Sequence, residues 1–388
     1  MRFWYLVPSL ISISSAFASS YLAIDGLNRF GNSESYIATL TIASNVSTLL
    51  AYVVGKFIEG KRLYKEFFMF SSAVSFLSLT FGLLHPGLFS YIIVASLVSF
   101  FSNLASLCLS LAIADNVENE ELVSALKIRN LISGVSASLV STFAWAIASS
   151  YFIITLIGIG VTISGIFISR ELISTRQLNR FNNSLKLVNE VTLYLASTDL
   201  EFALNKISEI SKSRRIFAPL LMIDRLVFGI SSGLFFTSLP PTLLRTGSAE
   251  LSYLALGLNS LASSLGYILV RSISIRVGTL VVLIRAFSML SITSLMFYSP
   301  NLVIIPLVVM GVCWSFYDTI LSYFASTSLG QGSLSVYMGM INLGATIGGV
   351  IAGYIIQNFT LSVIIAFILL LISGFILYLL GEKSLHLP

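Results

Sequence analysis

The sequence predicts an all-α membrane protein of twelve transmembrane helices, arranged as two pseudo-symmetric six-helix bundles. Three observations carry that prediction. Of 388 residues, 56% are hydrophobic and only 10% charged, against about 25% charged in a typical soluble domain. Apolar runs of about 20 residues, long enough to cross a bilayer, recur along the chain. One long polar stretch, Glu171 to Arg215, divides those runs six and six.

The first run, Phe3 to Ile24, exceeds a signal-peptide core of about 7 to 15 residues and ends without a small-x-small cleavage site, so it reads as a retained span. Ser35 to Gly55 supplies the second. Phe67 to Ala114 holds no Asp, Glu, Lys or Arg, is too long for one helix, and is split by the turn residues His85, Pro86 and Gly87. Asn130 to Ser169 is also uncharged and must fold once, near Ser149 and Ser150. Beyond the polar interval come Ile216 to Pro240, Leu251 to Val270 and Val277 to Tyr298. A turn at Ser299, Pro300 and Asn301 leads into Leu302 to Ala325, followed by Leu334 to Ile356 and Leu361 to Leu380. The expected organisation is a bundle over residues 1–170, a linker over 171–215 and a second bundle over 216–388. Within the linker, Thr198 and Glu201 form a capping-box pattern, and Leu200, Ala203, Leu204 and Ile207 recur at helical spacing, as do Leu187, Val188, Val191 and Leu195. One or two amphipathic helices along the membrane surface are expected there.

Lys and Arg orient the chain. Alternate loops on one side hold eighteen of them, the opposite loops only Arg29 and Arg245. Basic loops face the cytoplasm, which places both termini inside a multi-pass protein of the cell membrane. The formal charge of +5 is therefore a topology signal rather than a nucleic-acid footprint. Cys108 and Cys313 lie far apart inside apolar runs, so neither a disulfide framework nor a metal site is expected.

The halves echo each other. Arg29, Gly31 and Glu34 repeat as Arg245, Gly247 and Glu250, 216 residues on, and Asn130-Leu131 repeats as Asn342-Leu343, 212 on. Parallel halves of this kind point to a transporter with its site at their interface. With twelve spans and a polar linker after the sixth, the chain resembles the major facilitator superfamily over essentially its whole length. That family's signature after span two, Gly-x-x-x-Asp-Arg-x-Gly-Arg-Arg, has a shortened counterpart in "GKFIEGKR", residues 55 to 62. The resemblance implies a cytoplasmic gate at Gly55, Glu59, Lys61 and Arg62, with Glu59 as its latching acid. A basic membrane-edge turn is the competing reading. The resemblance also implies that spans one, four, seven and ten surround a central cavity while three, six, nine and twelve support them.

Four charges fall inside apolar runs at comparable depth: Asp224 and Arg225 on span seven, Arg285 on span nine and Asp318 on span ten. Facing lipid, each would cost about 2.5 to 3.5 kcal/mol, so they should face protein or water. Neighbours on a helix point about 100° apart, so Asp224 and Arg225 serve different faces. Arg225 continues through Gly229, Ser232 and Gly233 and is expected to meet Asp318 across the cavity. Asp224 continues through Val227, Phe228 and Ser231 and is expected to meet Arg285 from behind. Trp314 and Tyr317 stand beside Asp318 as candidate ligand brackets, with a core role as the equal alternative, and span four carries Asn103 and Ser106 on one face. A static network holding spans seven, nine and ten together is the alternative.

No phosphate-cradling loop is present, so energy would come from a gradient. The expected activity is secondary active transport of a small solute by alternating access, preferably proton-coupled through Asp318. Facilitated uniport and multidrug efflux stay open, although span five lacks the Gly-Pro-rich pattern of drug exporters. A membrane-embedded lipid-modifying enzyme would want acid clusters or catalytic histidines, and His85 and His386 do not supply them. The chain is therefore expected not to be an enzyme, to need no cofactor or metal, and to work as a monomer in the lipid bilayer. Its partners would be a small-molecule solute and a proton.

Overall fold

The computed structural model describes residues 4–30, 34–58, 63–117, 119–144, 146, 151–168, 200–270, 274–328, 333–355 and 358–384. Among them are twelve principal helices. In the first half these are α1 (Pro8–Arg29), α2 (Glu34–Ile58), α3 (Tyr64–Leu84), α4 (Leu88–Asn116), α5 (Asn119–Thr142) and α6 (Tyr151–Ser164). The second half has α7 (Leu200–Thr246), α8 (Ala249–Leu269), α9 (Ile275–Tyr298), α10 (Ile304–Ser328), α11 (Ser333–Ile355) and α12 (Phe359–Ser384).

Nine of the twelve are long and apolar enough to cross a membrane by length and composition. The exceptions are physically informative. α6 is short. α5 and α8 are diluted by Ser, Asn and Gly, and they pack against each other where the halves meet. The turn at His85, Pro86 and Gly87 falls between α3 and α4 as the turn residues dictate. The expected fold at Ser149 and Ser150 lies outside the described residues.

Helix packing obeys an offset of six. α1 packs on α5 as α7 does on α11, α2 on α4 as α8 on α10, α3 on α6 as α9 on α12. Between the halves, α2 meets α11 and α5 meets α8, two contacts that the same exchange interconverts. Each half has its own apolar core. The outward faces of α3, α6, α9 and α12 stay bare: Phe81, Phe152, Phe287 and Phe375 are all more than half exposed, as suits lipid.

Two expectations need correction. Leu200–Thr246 is one continuous helix, so the segment after Thr198 is not a separate surface helix. Nothing between Leu200 and Ile216 breaks a helix, and the span simply continues into the polar stretch. The other expected linker helix, residues 187–195, lies outside the described residues. Likewise α5 starts at Asn119, eleven residues before the apolar run, so Lys127 and Arg129 are helical rather than loop residues.

Candidate functional site

Twelve crossings return the chain to its starting side, here called the termini face. A cavity of about 630 Å³ lies between the halves, in the part of the bundle nearer that face. Its walls come from both halves: Ser12, Ser15, Tyr52, Asn103, Arg129 and Asn130 from the first, Arg225, Ser232, Asn259, Tyr267, Trp314, Asp318 and Asn342 from the second. The pseudo-equivalent Asn130 and Asn342 thus line one space. Toward the opposite face, Tyr253 and Leu256 of α8 join the apolar core of the first half, and Ser138 donates to the Gly257 carbonyl at 2.7 Å. On the termini face, the Lys127 ammonium donates to the Val270 carbonyl at the end of α8.

α7 carries the centre of the site. Gly229 and Gly233 bring it into backbone contact with α11 at Ile341 and Ala345, and Gly344 and Gly348 of α11 answer from the other side. Small residues permit that approach within a membrane bundle. These glycines are therefore a packing seam, and of the strip continuing from Arg225 only Ser232 reaches the cavity.

Arg225 and Asp318 are paired, with Arg225 Nη2 at 2.7 Å from Asp318 Oδ1 and side chains 6% and 16% exposed. Tyr267 of α8 donates to the other carboxylate oxygen at 3.1 Å. The guanidinium also sits 5.3 Å from the ring centres of Trp314 and Tyr337 and 5.5 Å from Tyr317, an aromatic surround suited to a cation. Its Nε and Nη1 have no hydrogen-bond partner.

The second pairing is different from expectation. Arg285 does not meet Asp224. It donates to the Met310 carbonyl at 2.7 Å and lies 5.0 Å from the ring centre of Phe228. Asp224 is fully buried and accepts from Tyr317 (2.9 Å) and Ser373 (2.6 Å), two hydroxyls on α10 and α12. Phe228 stacks on Tyr317 at 3.9 Å, filling the space through which acid and guanidinium would have met. Of the two readings open for Tyr317 the core one fits, since it has no exposed surface, whereas Trp314 does line the cavity. Asn103 lines it too, while donating to Thr48 of α2 at 3.1 Å.

Gly55 packs against Leu107 of α4 near the end of α2. Glu59, Lys61 and Arg62 lie outside the described residues. Cys108 and Cys313 are buried free thiols, and among the described residues no group of His, Cys, Asp and Glu could hold a metal ion.

Residues that sequence reasoning missed are Arg129, Tyr52, Asn259 and Tyr267. Arg129 Nη1 donates to Asn130 Oδ1 at 2.7 Å, and Nη2 donates to the Ser106 carbonyl at 3.3 Å and to the Ser106 hydroxyl. Its Nε is buried without a partner. A signal existed: Arg129, Ser133 and Ala137 recur every four residues and share the cavity wall.

No protein-family profile and no curated protein matches the chain. Solved structures do. A D-xylose–proton symporter aligns at 12% identity over 96% of each chain with a TM-score of 0.66. A peptide transporter in complex with sulfate aligns at 12% identity over 98% of this chain and 95% of its own, TM-score 0.68. A nucleoside transporter aligns at 12% identity over 97% and 99%, TM-score 0.58. The chain has the major facilitator fold, that of a multi-pass membrane protein.

Proposed function

We propose that this chain is a secondary transporter that carries a small polar solute across the cell membrane by alternating access, with both termini in the cytoplasm. The observation that carries the reading is the cavity: a space walled by polar and apolar side chains of both halves, closed by apolar packing on one side, with a buried ion pair in its wall. Rocking of two bundles about such a space exchanges which side it opens to. Polar wall atoms without a protein partner, among them Ser232 Oγ, Asn259 Oδ1 and Thr319 Oγ1, are the donors and acceptors a solute would use. Sugar, peptide and nucleoside carriers share this fold, and that spread leaves the substrate to the site itself.

Proton coupling is the energetic reading we favour. Protonating Asp318 removes the charge that holds Arg225, frees Tyr267 and loosens α7 and α8 from α10 together. Gly55, Glu59, Lys61 and Arg62 would then serve as the cytoplasmic gate. Transport rather than catalysis, action as a monomer, and independence of metal or cofactor complete the proposal. The test is uptake by proteoliposomes over a solute panel, with and without an imposed pH gradient. Gradient-driven accumulation lost in Asp318→Asn is expected. Uptake indifferent to the gradient would leave facilitated uniport, and metal-dependent turnover of a lipid would replace the carrier with an enzyme.

A further inference from the structure

We infer that Arg129 is a binding residue for an oxyanion of the solute, a carboxylate or a phosphate, so that the cavity takes an anionic substrate through the first half of the chain. The inference rests on the transporter reading for its purpose but on its own observations for its place.

The charge balance of the cavity comes first. Its wall holds Lys127, Arg129, Arg225 and Arg285 against a single described acid, Asp318. Asp318 is already occupied by Arg225 at 2.7 Å and Tyr267 at 3.1 Å. Lys127 is given to the Val270 carbonyl at the C-terminal end of α8, where the helix dipole is negative. Arg285 is held by a carbonyl and two aromatic faces. Among the described residues, Arg129 stands with Lys127 on the first-half wall with only neutral acceptors, but its own, Asn130 and Ser106, lie within helices and offer no negative helix end. Asp318 lies within electrostatic reach of it but makes no hydrogen bond to it. Arg129 is only part-buried, yet a cation held in a cavity wall without a countercharge is still costly, and an anionic ligand is what removes the cost.

Geometry points the same way. A guanidinium has five N–H donors in a planar fork that matches carboxylate and phosphate oxygens two at a time. Asn130 and Ser106 hold the Nη end of Arg129 from both sides and leave Nε–H buried and unpartnered. The hydroxyls of Ser102 and Thr319 belong to the same wall and are likewise buried and unpartnered. Asn259 Oδ1 is an unpartnered acceptor suited to a hydroxyl elsewhere on the solute. The ligand therefore has an anionic head and a neutral, hydroxylated remainder. Arg225 serves it indirectly, as the partner that keeps Asp318 from competing for Arg129.

The test uses the purified full-length chain in detergent with small oxyanions as probes: acetate, inorganic phosphate and sulfate, each against chloride at equal ionic strength. At least one oxyanion should raise the thermal unfolding midpoint saturably. Arg129→Gln should weaken that apparent affinity by about tenfold or more, the cost of one charge-assisted contact, and Arg129→Lys should restore part of it. Acetate acting alone assigns a carboxylate, and phosphate acting alone a phosphate ester. Oxyanions equal to chloride, or a response unchanged in Arg129→Gln, overturn the inference. Should Arg129→Gln fail to fold, dicarbonyl labelling of the unaltered chain decides: the effective oxyanion should protect Arg129 more than Arg225, and equal labelling refutes the site. Oxyanion binding without uptake of any solute in proteoliposomes keeps the site and discards the carrier. Uptake of neutral or cationic solutes, untouched by Arg129→Gln, keeps the carrier and discards the site.

Discussion

α1 and α7 occupy the same place in the two halves, yet they are built on opposite principles. α1 starts as a 3-10 turn at Pro8–Ile11 and passes through a π turn at Ala18–Leu22. It is joined to α5 by hydroxyls: Ser12 donates to the Ser133 carbonyl at 2.7 Å and lies 3.1 Å from the Ser136 hydroxyl. α7 is joined to α11 by glycines whose backbones touch, and it holds Asp224 and Arg225 in buried networks. Serines bonding back to their own helix, as Ser14, Ser15, Ser19 and Ser20 do, bend and soften it. Glycine seams fix two helices at one distance. One topology is thus closed twice, by a yielding seam in the first half and a stiff one in the second. The stiff half holds the ion pair in register, and the yielding half is free to follow the solute.

The largest expected effect breaks the stiff side at its charge. Asp318→Asn leaves Arg225 buried with no countercharge, which should cost about 3 to 5 kcal/mol. The first half's comparable acid, Asp25, pairs with a half-exposed Arg29 at 2.6 Å, and Asp25→Asn should cost about 1 kcal/mol or less. Thermal unfolding midpoints of the two variants, side by side in one detergent, measure the gap. Equal losses would mean that the charges are not what distinguishes the halves. Exchanging the pair, as Arg225→Asp with Asp318→Arg, should recover part of the loss if charge, rather than shape, is what α7 and α10 share.

Next in size is the glycine seam. A Cβ at Gly344 would meet the Leu226 carbonyl and the Gly229 backbone, neither of which can rotate away. Gly344→Ala should therefore push α7 and α11 apart at a cost of about 1 to 3 kcal/mol. Gly160 on α6 has open space around its missing side chain and is the control. There the same substitution should be neutral or slightly stabilising, since alanine favours a helix by about 1 kcal/mol over glycine. A Gly344→Ala protein as stable as Gly160→Ala would mean that the second half is not stiffened by its glycines.

What the sequence disclosed follows this division. The fold was legible because apolar run length and the Pro86-Gly87 break act locally, and a repeat offset needs no geometry. Arg225 with Asp318 was legible because four charges at one depth in a bilayer leave few opposite charges to choose from, and helix faces narrow the choice further. Asp224 was misassigned for the converse reason. A carboxylate can be satisfied by hydroxyls, and Ser373 and Tyr317 carry no charge to advertise themselves. Arg129 was overlooked, despite its four-residue spacing with Ser133 and Ala137, because a basic residue beside an apolar run is usually a loop residue. The helix starting at Asn119 turns it inward instead. Counting charges locates topology well and cavities poorly, since both draw on the same residues.

The smallest effect sharpens the yielding side. Ser12→Ala removes the contacts to Ser133 and Ser136, and interhelical hydrogen bonds in membranes average about 0.6 kcal/mol, so the unfolding midpoint should barely move. A double-mutant cycle with Ser136→Ala isolates the pair. If the seam yields, the coupling should stay within a few tenths of a kcal/mol, because Ser136 can fall back on the Ser133 carbonyl that it already reaches at 2.9 Å. A coupling above about 1.5 kcal/mol would instead make the serine seam as rigid as the glycine seam. The two halves would then differ in chemistry but not in stiffness, and the site would have no softer wall with which to close on its solute.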